Sequence, residues 1–518
     1  MKKNTNVHSL GEYYFEEFFY RFPVKATKRG IHRYDYRLGS FRRSDFEAWK
    51  KELSGIGKEI FAFKLKKRFK KNIDLQMLER RVNSELEWVK EEEFKSSPFF
   101  YISAIYDGLI YPAFGAYAPL SVRSKNFLDR ASDIENVVTA AKENLEFSEE
   151  TEKEFALERL NLLSNFFEEY VSYLSGKSDV GLKEELKSVR LPVSEQLKSL
   201  YAFVSKLRPA SNAKKLTFVK KIKREYLEDY PLRELQLDLK KRIEAKSVQI
   251  EQKAREIKIS SPVKETLENV LSEKKEMNLE EVFEIFELIK KYGNPIFGKT
   301  DLSIEYKRIV QNSERNFGSL ARLSSNIIIP PGPFDTHSSI PVMIVAPVSV
   351  YTIILKLLSV GYPGRSFQSE ILKQNTTDFR KMFENTLFNE GWEFYSRIIM
   401  RDALKKELGL KFELVALYDE YVTLLKAFIE NELLNRKVSL SDAINIVNGD
   451  NIILNKEDFL YNTIAENGKS LKAVVGLNSI LYFKDKLIRK GLKLKEFHRN
   501  VLANSTLPFK LIGQVMRR

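Results

Sequence analysis

The chain has 518 residues and a formal net charge of +15, with 43% hydrophobic and 30% charged residues. This composition predicts a folded protein with a sizeable core and excludes an intrinsically disordered one. The absence of cysteine excludes disulfides and thiolate metal sites and fits a reducing compartment.

The first residues, Met1 to His8, are polar, and no apolar signal-peptide core follows them. The most apolar stretch, Val342 to Leu355, is interrupted by Pro347 and is shorter than the ~20 residues of a membrane span. We therefore expect a cytoplasmic protein with no membrane partner.

Two basic stretches, Lys64 to Lys71 and Lys214 to Arg224, are candidates for binding nucleic acid. Acidic residues such as Glu79 and Glu225 lie close to them in the sequence, so solvated helix faces are the simpler interpretation. The abundance of Lys, Glu and Arg, with no cysteine, is also typical of heat-adapted proteins.

Helical periodicity dominates the chain. It predicts helices over Gln196 to Leu207, over Leu232 to Ile257, and from a cap near Asn278 to Tyr292. We expect a mainly α fold, with an N-terminal helical lobe over 1–207 and a C-terminal helical lobe over 208–518. Candidate boundaries lie around Pro209 to Asn212 and Pro295 to Thr300. Neither resembles a flexible linker, so we expect the two lobes to share one core.

Residues 326–350 interrupt the helical pattern. Asn326 to Pro333 and Ile340 to Val350 are β-branched and punctuated by proline, which predicts a small β element. A helix is expected from about Val350 to the turn at Gly361 to Gly364, and helix returns from Asp378 to about Leu408. The last expected helices are Lys493 to Val501 and Leu507 to Met516.

Several catalytic chemistries find no support in the sequence. There are only four histidines, His8, His32, His337 and His498, and no two have the spacing with which one helix presents two metal ligands. No phosphate-binding loop, dinucleotide-binding turn or nucleophile elbow is present.

Three segments carry a resemblance to a known family: Phe22 to Leu38, Glu384 to Tyr395 with its Glu390-Gly391-Trp392 triplet, and Gly491 to Pro508. Together they resemble the domain-of-unknown-function family numbered 885, which is similar to helical zinc peptidases of the gluzincin type. The resemblance implies a two-lobed helical fold around a groove. It also implies a zinc motif His-Glu-x-x-Pro-Gly-His, with a further Glu ligand in the Glu-Gly-Trp segment.

The chemistry of that motif is missing here. The matching stretch places Ser359 and Arg365 where the family has histidine ligands, and Val360 where it has the general base; only Glu390 remains. A hydroxyl is a poor zinc ligand, an isopropyl group has no donor, and a guanidinium repels a cation. The resemblance therefore implies that zinc is lost. Asn467-Gly468-Lys469, with Ala473 and Gly476, is loosely matched to a polar cluster of the family.

We interpret the chain as a catalytically inactive relative whose groove binds a peptide or small-molecule ligand or a partner protein. Tyr362, Trp392 and Tyr395 are candidates for lining that groove. In a sharper hypothesis, Arg365 pairs with Glu390 and supplies the positive charge of the missing metal. The alternatives are an active metallopeptidase using relocated carboxylates such as Glu384, Glu393 or Asp402, and a basic nucleic-acid-binding protein.

Overall fold

The computed structural model describes residues 6–66, 71–148, 150–177, 180–209, 222–223, 232–275, 277–308, 326–344, 347–435, 440–466 and 468–516. Parts of both basic stretches (67–70, 214–221 and 224) and Asn467 lie outside the described residues.

The first part of the chain is helical. Nine helices precede residue 206 within the described residues: α1 Val7–Arg21, α2 Pro23–Lys28, α3 Arg43–Lys64, α4 Ile73–Lys90, α5 Pro98–Phe114, α6 Leu120–Ser132, α7 Ile134–Asn144, α8 Glu150–Lys177 and α9 Val180–Ser205. Short 3₁₀ turns lie at His32–Tyr34 and Glu93–Lys95. The helix predicted from Gln196 to Leu207 is the last part of α9, which ends two residues earlier, at Ser205.

The rest of the chain is also mainly helical. Its described helices are α10 Leu232–Ile257, α11 Val263–Ser272, α12 Leu279–Phe297, α13 Val350–Val360, α14 Arg365–Asn375, α15 Asp378–Lys381, α16 Thr386–Leu434, α17 Leu440–Asn448, α18 Lys456–Ala465, α19 Lys469–Ile488, α20 Leu494–Ala503 and α21 Phe509–Val515. The mainly α prediction is confirmed.

The expected β element is present and is larger than predicted. Strands β5 Asn326–Ile328 and β6 Ser339–Ile344 pair antiparallel, with Ile327 opposite Met343. A strand that the sequence did not suggest, β4 Ser303–Arg308, pairs parallel with β6 and gives the order β4-β6-β5. The remaining strands are short pairs, β1 Phe147–Ser148 with β2 Arg208–Pro209, and β3 Lys274–Lys275 with β7 Val348–Ser349.

Helix ends agree with the capping chemistry. Asn278 caps α12 in a reciprocal capping box with Glu281, as expected from the sequence. The helix expected to end at Tyr292 continues through Pro295 to Phe297. The helix expected from Asp378 to about Leu408 is divided into α15 and α16, since Asn385 caps the start of α16. Helix α16 continues to Leu434, past a kink at Gly409, whose φ of 76° is in the left-handed region.

The buried hydrophobic side chains form one connected core that runs from Val7 to Ile512. The first helix packs against residues far along the chain: the Phe15 and Phe383 ring centroids are 4.8 Å apart, and Gly11 lies against the ring of Phe379. The division into lobes 1–207 and 208–518 stays a prediction.

Two glycines allow α16 and α19 to cross at very short range. A Cβ atom on Gly391 would lie 2.4 Å from the carbonyl carbon of Gly476, and one on Gly476 would lie 2.1 Å from the carbonyl oxygen of Leu387. Backbone therefore meets backbone at this crossing, and no side chain larger than hydrogen fits. This gives Gly391 of the Glu-Gly-Trp triplet a packing role.

An ionic contact joins the N-terminal segment to the loop before β6. His32 Nδ1 lies 2.8 Å from Asp35 Oδ2, and His32 Nε2 lies 2.7 Å from Asp335 Oδ1. Burial opposes the charge on the imidazole, but the two hydrogen-bonded carboxylates outweigh it and raise the pKa of His32 to about 9. His32 is therefore an imidazolium at neutral pH and donates to both carboxylates.

We expect Gly391→Ala to destabilise the protein strongly, because the added methyl group forces α16 and α19 apart. The free energy of unfolding measured by chemical denaturation should fall by more than about 2 kcal/mol. The added methyl group meets backbone atoms, which cannot move aside as a flexible side chain could. Gly57→Ala in α3 is the matched control, since a Cβ there meets nothing within 4 Å. Removing a helix-interior glycine should raise stability by about 0.5–1 kcal/mol. Equal effects of the two changes would contradict the packing role.

The pH dependence of stability tests the His32 contact. The folded pKa of about 9 exceeds the usual 6.5. The contact therefore contributes fully below pH 6.5, and its contribution disappears as the pH rises through about 9. His32→Asn should lower stability at pH 6 by about 1–3 kcal/mol and flatten the pH profile between those values. His8→Asn, which removes a histidine that is 53% exposed, is the control. A profile unchanged by His32→Asn would contradict the assignment.

Candidate functional site

A tight turn joins α13 to α14 and positions Ser359, Val360 and Arg365. A Cβ atom on Gly364 would lie 1.7 Å from the carbonyl oxygen of Ser359, so only glycine fits there. The hydroxyl of Ser366 donates to the carbonyl of Val360 at 2.7 Å, and the Tyr362-Pro363 peptide is cis. Ser359 and Val360 thus end one helix, and Arg365 begins the next.

The first two motif positions carry no free metal donor. Ser359 is buried, and its hydroxyl donates to the carbonyl of Leu355, one turn earlier in the same helix, at 3.0 Å. Val360 is buried as well. The end of α13 therefore offers packing in place of ligands.

Arg365 is held by two carboxylates. Its guanidinium nitrogens lie 3.7 Å from Glu384 Oε1 and 3.5 Å from Glu393 Oε1. Burial disfavours its charge, but Glu393, Glu384 and Glu390 outweigh burial and raise its pKa. The hypothesis of a direct Arg365–Glu390 ion pair is wrong. Among the described residues, Arg365 pairs with the two neighbouring glutamates and attracts Glu390 only at longer range.

Glu390 has an unusual environment. Burial and the nearby Glu393 carboxylate raise its pKa to about 7, against the attraction of Lys469, Arg365 and Lys472. Within the described part of the chain, no hydrogen bond or ion pair of its side chain is observed. Since α19 crosses at the adjacent Gly391, its first turn approaches Glu390, and this carboxylate is the largest influence raising the pKa of Lys469.

These groups belong to a longer row of acidic and basic side chains, which we call the charge row. Lys28 and Asp107 pair at 2.6 Å, and Lys469 lies 3.8 Å from Glu466. The members in order are Asp107, Lys28, Glu384, Arg365, Glu393, Glu390, Lys469 and Glu466. The row joins α5 and α2 to α14, α16 and α19.

We infer that the charge row lines a cleft. The side chains of Lys28 and Glu384 are 35% and 40% exposed, so water reaches them. Burial opposes the charge of both groups, although their charged neighbours outweigh it in setting the pKa, and this indicates that protein shields part of each side chain from water. Side chains that are wet and yet enclosed are typical of concave surfaces.

Lys356 is a member of the site that sequence reasoning missed. Burial lowers its pKa, with a further contribution from Lys469, although Glu393 and Glu466 attract it. It is the lone cation of α13, whose other residues are apolar, aromatic or hydroxyl-bearing. A charge in such a helix was a signal available in the sequence.

The three aromatic candidates do not line the cleft. Tyr362, Trp392 and Tyr395 are each fully buried. The Tyr362 hydroxyl donates to Gly298 O at 2.6 Å, and Trp392 Nε1 donates to Pro363 O at 2.9 Å. The expectation that they form a ligand surface is therefore wrong. Their rings are packed in the core, and their polar atoms make hydrogen bonds within the protein.

His498 accepts a hydrogen bond from the hydroxyl of Tyr395. Its Nδ1 lies 3.0 Å from the carbonyl of Ile296, so this nitrogen donates, and Nε2, 2.8 Å from the Tyr395 oxygen, accepts. Burial lowers the pKa of His498 to about 4, which keeps the ring neutral. This histidine is a core group stacked on Phe297, with ring centroids 4.4 Å apart.

The residues present do not fit a zinc ion. Across the described ranges, no three His, Asp or Glu side chains are placed to hold a metal. The rival carboxylates are taken by cations: Glu384 and Glu393 by Arg365, and Asp402 by Arg401 at 3.1 Å. A cation at the centre of the site disfavours a second one.

Arg365→Met tests the charge row. It leaves Glu384 and Glu393 facing each other without their shared cation, and we expect a loss of about 1–3 kcal/mol in chemical denaturation after solvent screening. The double variant Arg365→Met with Glu393→Gln should recover part of that loss. Arg43→Met, in a pair whose side chains are both 48% exposed, should cost less than about 1 kcal/mol. Equal losses for the two single variants would refute the central role of Arg365.

Among the described residues, no helix has both the length and the apolarity to cross a membrane.

Among proteins with curated descriptions, none matches the chain. Two solved structures share its fold. One, from Shewanella oneidensis, has a TM-score of 0.70 and 13% identity and covers 99% of this chain and 100% of its own. The other, from Colwellia psychrerythraea, has a TM-score of 0.77 and 13% identity over 99% and 98%.

Each of those two proteins is described as a "putative lipoprotein", the first also as of unknown function. That description concerns those proteins, and the cytoplasmic location expected for this chain stays a prediction. The model of the family described as "Bacterial protein of unknown function (DUF885)" matches residues 23–516. The chain therefore belongs to the DUF885 family.

Proposed function

We propose that this protein is a non-catalytic relative of helical zinc peptidases that binds a peptide or small molecule in the cleft lined by the charge row. The single observation that carries the proposal is the position of Arg365. Its guanidinium lies between Glu384 and Glu393, and the resemblance implies a metal ligand at this position of the sequence.

The physical argument concerns charge. A zinc site gathers acidic or neutral donors around a dication and leaves a position open for water. Here a permanent monocation balances the glutamates, and it can neither polarise a carbonyl as a Lewis acid nor lower the pKa of a bound water as zinc does. Charge balance in the cleft is kept, whereas the chemistry for activating water is absent.

Ligand binding follows from what remains. The cleft is wet, enclosed and lined by charges of both signs, and charged groups held in fixed positions supply specificity for polar ligands. The peptidase relationship itself belongs to this proposal, since it rests on the resemblance of the motif and not on a shared function of solved relatives.

Zinc analysis and a peptide-hydrolysis assay test the proposal. We expect purified protein to contain far less than one zinc per chain and to show no cleavage that a chelator abolishes. Stoichiometric zinc with chelator-sensitive cleavage would overturn it and favour the active peptidase with relocated carboxylates.

Restoring the motif is the complementary test. Ser359→His, Val360→Glu and Arg365→His together should regain zinc binding, because two imidazoles then join Glu390. The matched control keeps Arg365 and carries only the first two changes; it should bind little zinc because the guanidinium remains. Equal zinc binding by both variants would show that Arg365 does not decide the charge of the site. Circular dichroism confirms that both remain folded.

A further inference from the structure

An open groove runs along the surface between α8 and α9. Two cavities of about 490 Å³ each form it, and they adjoin because Ser164, Asn165 and Lys198 line both of them. On α9 the lining side chains follow one another every three or four residues from Lys187 to Tyr201, so one face of this helix is a wall of the groove. At 1.5 Å per residue, that stretch is about 21 Å long.

The groove is basic and partly apolar. Its lining has three cations and one carboxylate, a net charge of +2: Lys187, Arg190, Lys198 and Glu168. Arg190 Nε donates to Glu168 Oε2 at 2.6 Å, so this carboxylate is already engaged within the groove. Lys187 also pairs with Glu184, but both side chains are largely exposed, and such a pair contributes little. Leu191 lines the same groove and is 66% exposed. An acidic segment with apolar side chains of its own fits this basic groove.

The exposed face of α12 has the opposite charge. It carries three glutamates and one lysine, a net charge of −2: Glu280, Glu284, Glu287 and Lys291. Leu279 and Phe283, one turn apart on the same face, are 54% and 47% exposed. From Leu279 to Lys291 this acidic ridge is about 18 Å long. The acidic ridge therefore matches the basic groove in length, in charge and in having exposed apolar side chains.

We propose that the acidic ridge of one copy of this chain docks in the basic groove of a second copy. Both faces are exposed in the structure, so they do not meet within one chain. Because the chain itself carries both complementary faces, a second copy is the partner that the structure favours. Docking places glutamates beside the lysines of the groove and removes Leu191 and Phe283 from water, and both effects favour association. None of these residues belongs to the charge row, so the inference is independent of the proposed ligand binding.

Sedimentation velocity on the full-length protein tests the proposal. The weight-average mass should rise between about 1 µM and about 300 µM protein, since one helix in one groove is a small contact with a micromolar dissociation constant. Raising the salt concentration from about 50 mM to about 500 mM should weaken association at least about threefold, because salt screens exposed charges. A monomer at every concentration would overturn the proposal.

Charge reversal on each face identifies the contact. The groove variant carries Lys187→Glu with Lys198→Glu, and the ridge variant carries Glu284→Lys with Glu287→Lys. Each variant alone should associate at least about tenfold more weakly, because its ridge and its groove then have charges of the same sign. An equimolar mixture should regain association, since the ridge of each variant is opposite in charge to the groove of the other. Unchanged association of the single variants, or a mixture without recovery, would refute the contact.

The apolar side chains are tested by Leu191→Ser and Phe283→Ser. Each change should weaken association about tenfold, as truncation of a central side chain does in protein interfaces. The matched controls lie on α3: Phe61→Ser, at a ring that is 63% exposed, and Lys51→Glu with Lys58→Glu, at two exposed lysines. They should leave association unchanged, and equal weakening by the controls would contradict the proposal. Zinc in the purified protein bears only on the proposed function, whereas the sedimentation results bear only on this inference.

Discussion

The site is organised by the attraction between one guanidinium and two carboxylates. Arg365 begins α14, whereas Glu384 precedes α16 and Glu393 lies within it, so this contact ties the turn between α13 and α14 to α16. Without a cation there, two acids would share a partly desolvated cleft, and like charges in such a place raise each other's pKa or destabilise the fold. On one side of this contact the charge row alternates in sign through Lys28 to Asp107, whereas on the other side Glu393 and Glu390 are neighbouring acids.

Backbone packing decides which charges meet. The crossing of α16 and α19 at Gly391 and Gly476 brings the first turn of α19 beside Glu390. A larger residue at either position would separate the helices and weaken the attraction between Lys469 and Glu390. The Glu-Gly-Trp triplet therefore has three distinct roles here: a carboxylate in the cleft, a close helix contact, and a buried indole that donates to Pro363 O.

The solved relatives show that the fold tolerates extensive change in sequence. At 13% identity, nearly the whole of each chain superimposes on this one. A core this large depends on the pattern of apolar positions more than on particular side chains. The chemistry of a site depends on particular atoms, so a shared fold does not carry a shared activity.

The sequence by itself determined the helical class, the β element and much of the helix pattern, because hydrophobic periodicity and capping residues act locally. Leu232 to Ile257 and the cap at Asn278 are examples. It also shows Ser359, Val360 and Arg365 where the resemblance implies zinc-site residues, and the loss of a zinc site stays a prediction. The parallel strand β4 was missed because its pairing partner lies about 36 residues later, and such pairing leaves no local signal.

Only the tertiary structure decided which charges are neighbours. The sequence has several glutamates that could pair with Arg365, and it does not indicate which of them lie close in space. In the structure, Glu384 and Glu393 form the ion pairs and Glu390 does not. Tyr362, Trp392 and Tyr395 were assigned to the cleft from their place near the motif, but packing from distant elements buries them. The pKa of Lys356 is lowered by burial and by Lys469, which is more than 100 residues away in the sequence. Sequence alone does not give this effect, because electrostatic interactions depend on distance in space and on the surrounding dielectric.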